Sequence, residues 1–160
     1  MKNRELVIVP LIITILGLFL YVIGDTITGD FVRIFFPQRN TIFEFLKIYF
    51  TAFLLIYICG LFTDDRKVNN YLFSRVVGSL IMMALTIALG SFVYFVFHKV
   101  TALSLLIIFL VSVWVGQLVS YFTQKHEFKY QNTMAIILQT LITLLITFYT
   151  LYPLNNYLFN

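Results

Sequence analysis

The distribution of hydrophobic and polar positions divides the chain into five long apolar runs separated by shorter polar breaks. The strands of a membrane barrel would instead alternate with a period of two over about ten residues. A helix of about 20 residues is about 30 Å long and matches the hydrocarbon core of a bilayer. The pattern therefore predicts an all-α integral membrane protein, a bundle of five transmembrane helices in one domain, 1–160. The predicted spans are 6–23, 42–62, 76–97, 102–122 and 133–152.

The connection 24–40 is the longest of the polar breaks. The connection begins with polar residues. Its segment 31–36 is amphipathic and aromatic, and this segment ends before Pro37. A short aromatic segment with one arginine is typical of the interface between membrane and water. We expect this segment to lie on the bilayer or to cover the helix ends.

Composition agrees with lipid as the solvent, since 61% of the residues are hydrophobic and 11% are charged. Soluble domains carry about 45–50% apolar and about 25% charged residues. The net charge of +4 is not gathered in a basic block, so we expect no nucleic-acid partner. Cys59 stands alone in an apolar run and is expected to be a packing residue.

The lysines and arginines of the short loops predict the orientation, because they are enriched on the cytoplasmic side. One side of the predicted bundle carries seven: Lys2, Arg4, Arg66, Lys67, Arg75, Lys125 and Lys129. The other carries four: Arg33, Arg39, Lys47 and Lys99. We therefore expect the cytoplasmic (plasma) membrane of a bacterium, with the N-terminus cytoplasmic and the C-terminus outside.

One face of the fourth span is lined by small residues at steps of four, among them Ser112, Gly116 and Ser120. Small residues at this spacing let two helix backbones approach closely in lipid. The face predicts helix packing within the chain, or contact with a partner membrane protein or a second copy.

A second polar face lies on the fifth span, with Thr143, Thr147 and the adjacent Gln139. One interpretation is packing, with threonine hydroxyls bonded to carbonyls of their own helix. The other is a solute path lined by these residues together with Gln117 of the fourth span. We expect no ionisable group deep inside a span, which disfavours a proton-coupled pump or an ion carrier.

The histidines and the cysteine of the chain form no common catalytic or metal-binding pattern. His98 and His126 are predicted on opposite sides of the membrane, and the chain has no H-E-x-x-H motif and no cysteine pair. We therefore expect no catalytic residues, no metal and no cofactor.

The stretch 37–47 departs most from the surrounding composition. Thr41 and Glu44 have the spacing of a capping box, in which each side chain accepts a hydrogen bond from the backbone N–H of the other. Lys47 is expected to pair with Glu44 or to reach back to the headgroups. The helix cap does not explain Arg33 and Arg39. Together with the start of the helix, these arginines can bind an anionic headgroup, a carboxylate or a peptide terminus.

The stretch resembles the signature of an uncharacterised family of small bacterial integral membrane proteins, Asn-Glu-Ser-x-Trp-Glu-His-Leu-Lys. The matching positions are Thr41, Phe43, Glu44, Leu46 and Lys47, and 148–153 is similar to the family's closing aromatic-Thr-aromatic-Pro run. Arg39, Asn40 and Phe45 depart from the pattern, so a site built on the family's histidine is not expected here. The resemblance implies a fold plan and no reaction.

The leading hypothesis is a non-catalytic polytopic membrane module. It would bind a partner membrane protein, a lipid or a peptide through the outer 24–47 loop and helix cap, with membrane lipid around it. One alternative is a small transporter, or a membrane-embedded substrate-binding subunit of a transporter. Another is an enzyme acting on lipid, with Glu44 as acid or base.

Overall fold

The computed structural model describes residues 2–24, 26, 29–61, 70–126 and 130–159, and these fold into six α-helices. The helices are α1 (Lys2–Gly24), α2 (Asp30–Phe35), α3 (Ile42–Leu61), α4 (Tyr71–Phe97), α5 (Ala102–Thr123) and α6 (Gln131–Leu151). The prediction of an all-α protein is confirmed for this part of the chain. The loop 62–69, with Arg66 and Lys67, and residues 127–129, with Lys129, lie outside the described residues. So do the side chains of Lys2 and Arg4.

Four helices are long and apolar enough to cross a membrane: α4, α5, α6 and residues Leu6–Gly24 of α1. Their outward faces carry large apolar side chains that are more than half exposed, such as Ile15, Leu103 and Leu144. A soluble monomer rarely exposes apolar patches of this extent. The helices are therefore those of a multi-pass membrane protein.

Helix α3 lies at the centre of the bundle and packs against all the other helices. Its residues 42–53, apart from Glu44, are buried almost completely. Halfway along this stretch, Tyr49 places its hydroxyl 2.7 Å from the hydroxyl of Thr86 on α4. Thr86 lies in turn 3.3 Å from the hydroxyl of Ser112 on α5. These buried hydroxyl contacts link α3, α4 and α5.

One predicted boundary is displaced by more than a helical turn, because α4 begins at Tyr71 instead of residue 76. Helix α1 begins at Lys2, but its segment that is long and apolar enough to cross a membrane begins at Leu6, as predicted. The charge of Arg75 suggested a loop, but Arg75 lies within α4 and is only 4% exposed. The start of α4 is fixed by Asn70, whose amide donates to the carbonyls of Thr123 and His126 beyond α5.

The small-residue face of α5 packs against α4 of the same chain. An added Cβ on Gly116 would lie 2.8 Å from the carbonyl oxygen of Gly78, and one on Gly78 would lie 2.8 Å from Cβ of Ser120. Ser112 and Ser120 are at most 1% exposed. Packing within the chain, one of the predicted uses of Ser112, Gly116 and Ser120, is thus confirmed. An oligomer through these residues would require α4 to leave them.

One end of the bundle, which we call the α2 end, gathers α2, the start of α3 and the tail segment 153–159. The N–H of Phe43 in the first turn of α3 donates to the carbonyl of Leu158, at 2.9 Å. Tyr157 stacks on Tyr94 of α4, with ring centroids 4.9 Å apart. The tail segment thereby satisfies an N–H that the start of a helix leaves without a partner.

Candidate binding site at the alpha2 end

The start of α3 carries half of the predicted capping box. The backbone N–H of Glu44 donates to the hydroxyl of Thr41 at 3.3 Å, as expected. The carboxylate of Glu44 does not return to Thr41. Its Oε2 accepts from the N–H of Gln38 at 2.9 Å, and its Oε1 lies 2.7 Å from Nζ of Lys47. Glu44 therefore joins the incoming loop to the helix instead of closing the box.

Lys47 is the buried cation of this site, with 1% of its side chain exposed. Besides its contact with Glu44, its Nζ donates to the carbonyl of Arg33 at 2.8 Å. Nζ also lies 5.4 Å from the ring centroid of Phe43, close enough for a cation–π interaction. Of the two expectations for Lys47, pairing with Glu44 is confirmed and reaching back to the headgroups is wrong.

Two side chains of α3 hold the last turn of α2 in place. Thr51 donates its hydroxyl to the carbonyl of Phe35 at 2.5 Å, one helical turn beyond the contact between Lys47 and Arg33. The last carbonyls of a helix have no partner within it, and a cation near them is favourable. Helix α2 therefore lies against the first half of α3, and the expectation that the segment 31–36 lies on the bilayer or covers the helix ends stays a prediction. The spacing of Lys47 and Thr51, i and i+4, is the sequence signal for this contact.

A cavity of about 60 Å³ lies where α2, α3, α6 and the tail segment meet. Its lining includes Arg33, Arg39, Glu44 and Lys47, so the structure brings together all four residues singled out in the 24–47 region. Arg33 and Arg39 are exposed, whereas Glu44 is largely and Lys47 fully buried. Among the described lining residues, Lys47 holds the carboxylate of Glu44. Arg33 and Arg39 place two further guanidinium groups on the exposed side of the lining.

Seven further side chains complete the cavity wall. They are Gln38, Thr41, Phe43, Tyr149, Thr150, Pro153 and Phe159. Phe159 stacks on Phe43, with ring centroids 4.5 Å apart. Tyr149 contacts both rings, at centroid distances of 6.3 Å and 5.9 Å. The sequence singled out Thr41 as a cap and, through the family resemblance, Phe43 and 148–153, but it did not indicate that they share a cavity.

An apolar groove of about 430 Å³ adjoins the cavity between α3, α4, α6 and the tail segment. Its walls are Ile42, Phe43, Leu46, Leu80, Met83, Ala84, Ile87, Ile142, Leu145, Ile146, Tyr149, Leu154, Leu158 and Phe159. The aromatic cluster of Phe43, Tyr149 and Phe159 lines both the cavity and the groove. The volume lies within the roughly 300–1,000 Å³ of small-molecule sites.

Gln117 lies apart from this site, on the buried side of α5. Its Oε1 accepts a hydrogen bond from Nη1 of Arg75 on α4, at 3.0 Å. The guanidinium of Arg75 lies 5.1 Å from the ring centroid of Tyr71. A hydrogen-bond partner of Gln117 on another helix is thus the arginine that was expected in a loop.

The polar residues of α6 make contacts within their own helix. The hydroxyl of Thr143 donates to the carbonyl of Gln139 at 2.8 Å, which agrees with the packing interpretation. Thr147 is half-buried on the same helix. A solute path lined by Gln117, Gln139, Thr143 and Thr147 stays a prediction.

His98 and His126 follow α4 and α5 and lie at opposite ends of α5. Among the residues that the structure describes, no three His, Cys, Asp or Glu side chains gather in a way that could hold a metal ion. A scan against protein-family models, a search of curated proteins and a search of solved structures each found no match to the chain.

Proposed function

We propose that the protein is a polytopic membrane module that binds an anionic group at the α2 end. The observation that carries the proposal is the cavity of about 60 Å³ with Arg33 and Arg39 at its mouth. Lys47 pairs with the carboxylate of Glu44 within the wall, and the exposed Arg39 presents its guanidinium group beside that pair. Guanidinium groups bind phosphates and carboxylates through two parallel hydrogen bonds. The phosphate ester of a membrane lipid is an anion of this kind that a membrane protein meets at the bilayer surface.

The proposal includes five crossings of the cytoplasmic membrane, with α3 as the fifth spanning helix. Helix α3 has 20 residues, about 30 Å, and its first turn is next to the end of α1. The hydroxyl of Tyr21, near the end of α1, donates to the side chain of Asn40 at 2.7 Å. Without the buried Lys47 and Arg75, six loop cations against three still favour a cytoplasmic N-terminus and an outer α2 end.

The topology is tested by labelling single cysteines in intact cells, in a background where Cys59 is replaced by alanine. Arg39→Cys and Lys99→Cys should react with a membrane-impermeant thiol reagent added outside. Lys125→Cys should react only after the membrane is permeabilised. All three positions are exposed. If α3 did not cross, positions 39 and 99 would be labelled from opposite sides, and the five-span proposal would fail.

Binding of the anion is tested with glycerol 1-phosphate, an anionic headgroup without an acyl chain. Titration calorimetry on the protein in neutral detergent should show one site. Arg39→Gln should weaken the affinity about tenfold, because one charge-assisted hydrogen bond at an exposed position is worth about 1.5 kcal/mol. Lys99→Gln is the matched control, since it removes an exposed cation outside the cavity lining. No binding, or an equal loss in both variants, would contradict the proposed function.

A further inference from the structure

The cavity and the apolar groove share one wall, the aromatic cluster of Phe43, Tyr149 and Phe159. On one side of the cluster lie the arginines, and on the other side lie only aliphatic and aromatic side chains. A ligand that fills both must carry an anionic group at one end and hydrocarbon at the other. That description is the chemistry of an anionic lipid.

The groove also has the shape of a site for a lipid acyl chain. Its α4 wall runs from Leu80 to Ile87 and its α6 wall from Ile142 to Tyr149, which is about 10 Å along each helix. The opposite wall is the first turns of α3, and Leu154 and Leu158 of the tail segment close the end beside the cavity. A helix of a partner protein, about 10 Å wide, would need a longer and wider surface and would leave the arginines unused.

We propose that one anionic phospholipid occupies both spaces, with its phosphate at Arg33 and Arg39 and one acyl chain in the groove between α3, α4 and α6. This inference rests on the proposed function and specifies its ligand. The headgroup offers phosphate oxygens to the guanidinium groups, and the acyl chain provides apolar contacts that a free phosphate lacks. The tail segment holds the ligand at the junction, because Phe159 lines both spaces and Leu158 is bonded to the backbone of Phe43.

The experiment uses two exposed alanines one turn apart on α4. Ala84 lines the groove and Ala88 does not, so Ala84→Phe fills the groove and Ala88→Phe is its matched control. Native mass spectrometry from neutral detergent would count bound dioleoyl phosphatidylglycerol and dioleoyl phosphatidylcholine. The wild type and Ala88→Phe should retain one phosphatidylglycerol in preference to phosphatidylcholine. Ala84→Phe should bind it at least tenfold more weakly, with an unchanged thermal midpoint and unchanged affinity for glycerol 1-phosphate.

Two results separate the groove from the headgroup site. If Ala84→Phe binds phosphatidylglycerol as tightly as Ala88→Phe does, the groove holds no chain and the inference is overturned, while binding of glycerol 1-phosphate by the wild type still supports the proposed function. If the wild type binds neither glycerol 1-phosphate nor phosphatidylglycerol in preference to phosphatidylcholine, both proposals fail together.

Discussion

Replacement of Glu44 by glutamine is expected to lower the free energy of unfolding by about 3 kcal/mol. Lys47 is fully buried, and Glu44 is the carboxylate that pairs with it, at 2.7 Å. Loss of one partner leaves a buried charge without compensation, which typically costs about 3–5 kcal/mol. The lower end applies, because the glutamine oxygen still accepts from Nζ of Lys47. Unfolding by SDS in mixed micelles, followed by circular dichroism, measures the change.

The control for this prediction is the double variant Glu44→Gln/Lys47→Met. Methionine removes the cation and fills most of the space of the lysine chain, so the double variant should be more stable than Glu44→Gln alone. If Glu44→Gln were as stable as the wild type, the ion pair would contribute nothing and Glu44 would act only through the hydrogen bond to Gln38. The same outcome would mean that the charge of Glu44 is not needed for stability, as the enzyme alternative requires.

Replacement of Gly116 by leucine is expected to cost about 3 kcal/mol or to prevent folding, because it inserts a side chain into a closed interface. A Cβ at this position would lie 2.8 Å from the carbonyl oxygen of Gly78 and would overlap Cγ of Met82. The methionine can turn away, but the backbone of α4 cannot move without separating from α5. The thermal midpoint in detergent and the yield of monodisperse protein on gel filtration are the measurements.

Val115→Leu is the matched control for Gly116→Leu. Val115 is the preceding residue on α5 and is 40% exposed, so its replacement should change the free energy of unfolding by less than about 0.5 kcal/mol. A Gly116→Leu variant as stable as Val115→Leu would show that α4 and α5 are not in close contact through Gly78 and Gly116. Association with a second copy through that face would then become the better interpretation.

The helices could be predicted because each apolar run is long enough to cross a bilayer and no strand pattern competes with it. The cluster of Arg33, Arg39, Glu44 and Lys47 could also be predicted, since these residues are close along the chain. Arg75 could not, because its burial depends on Gln117, which lies 42 residues away on another helix. The groove could not be predicted either. The groove depends on which helices are neighbours, and the pattern of apolar residues alone does not show which helices pack together.

The contact between Phe43 and Leu158 has a consequence for biosynthesis. The two residues are 115 positions apart, so about 10 s of translation separate them at about 5–20 residues per second. During that interval the first turn of α3 has been made without its covering segment, and the aromatic cluster lacks Phe159. The α2 end of the bundle is therefore completed only after α6 has been made. A fusion partner attached after residue 160 would act at this step, by delaying the docking of residues 153–159.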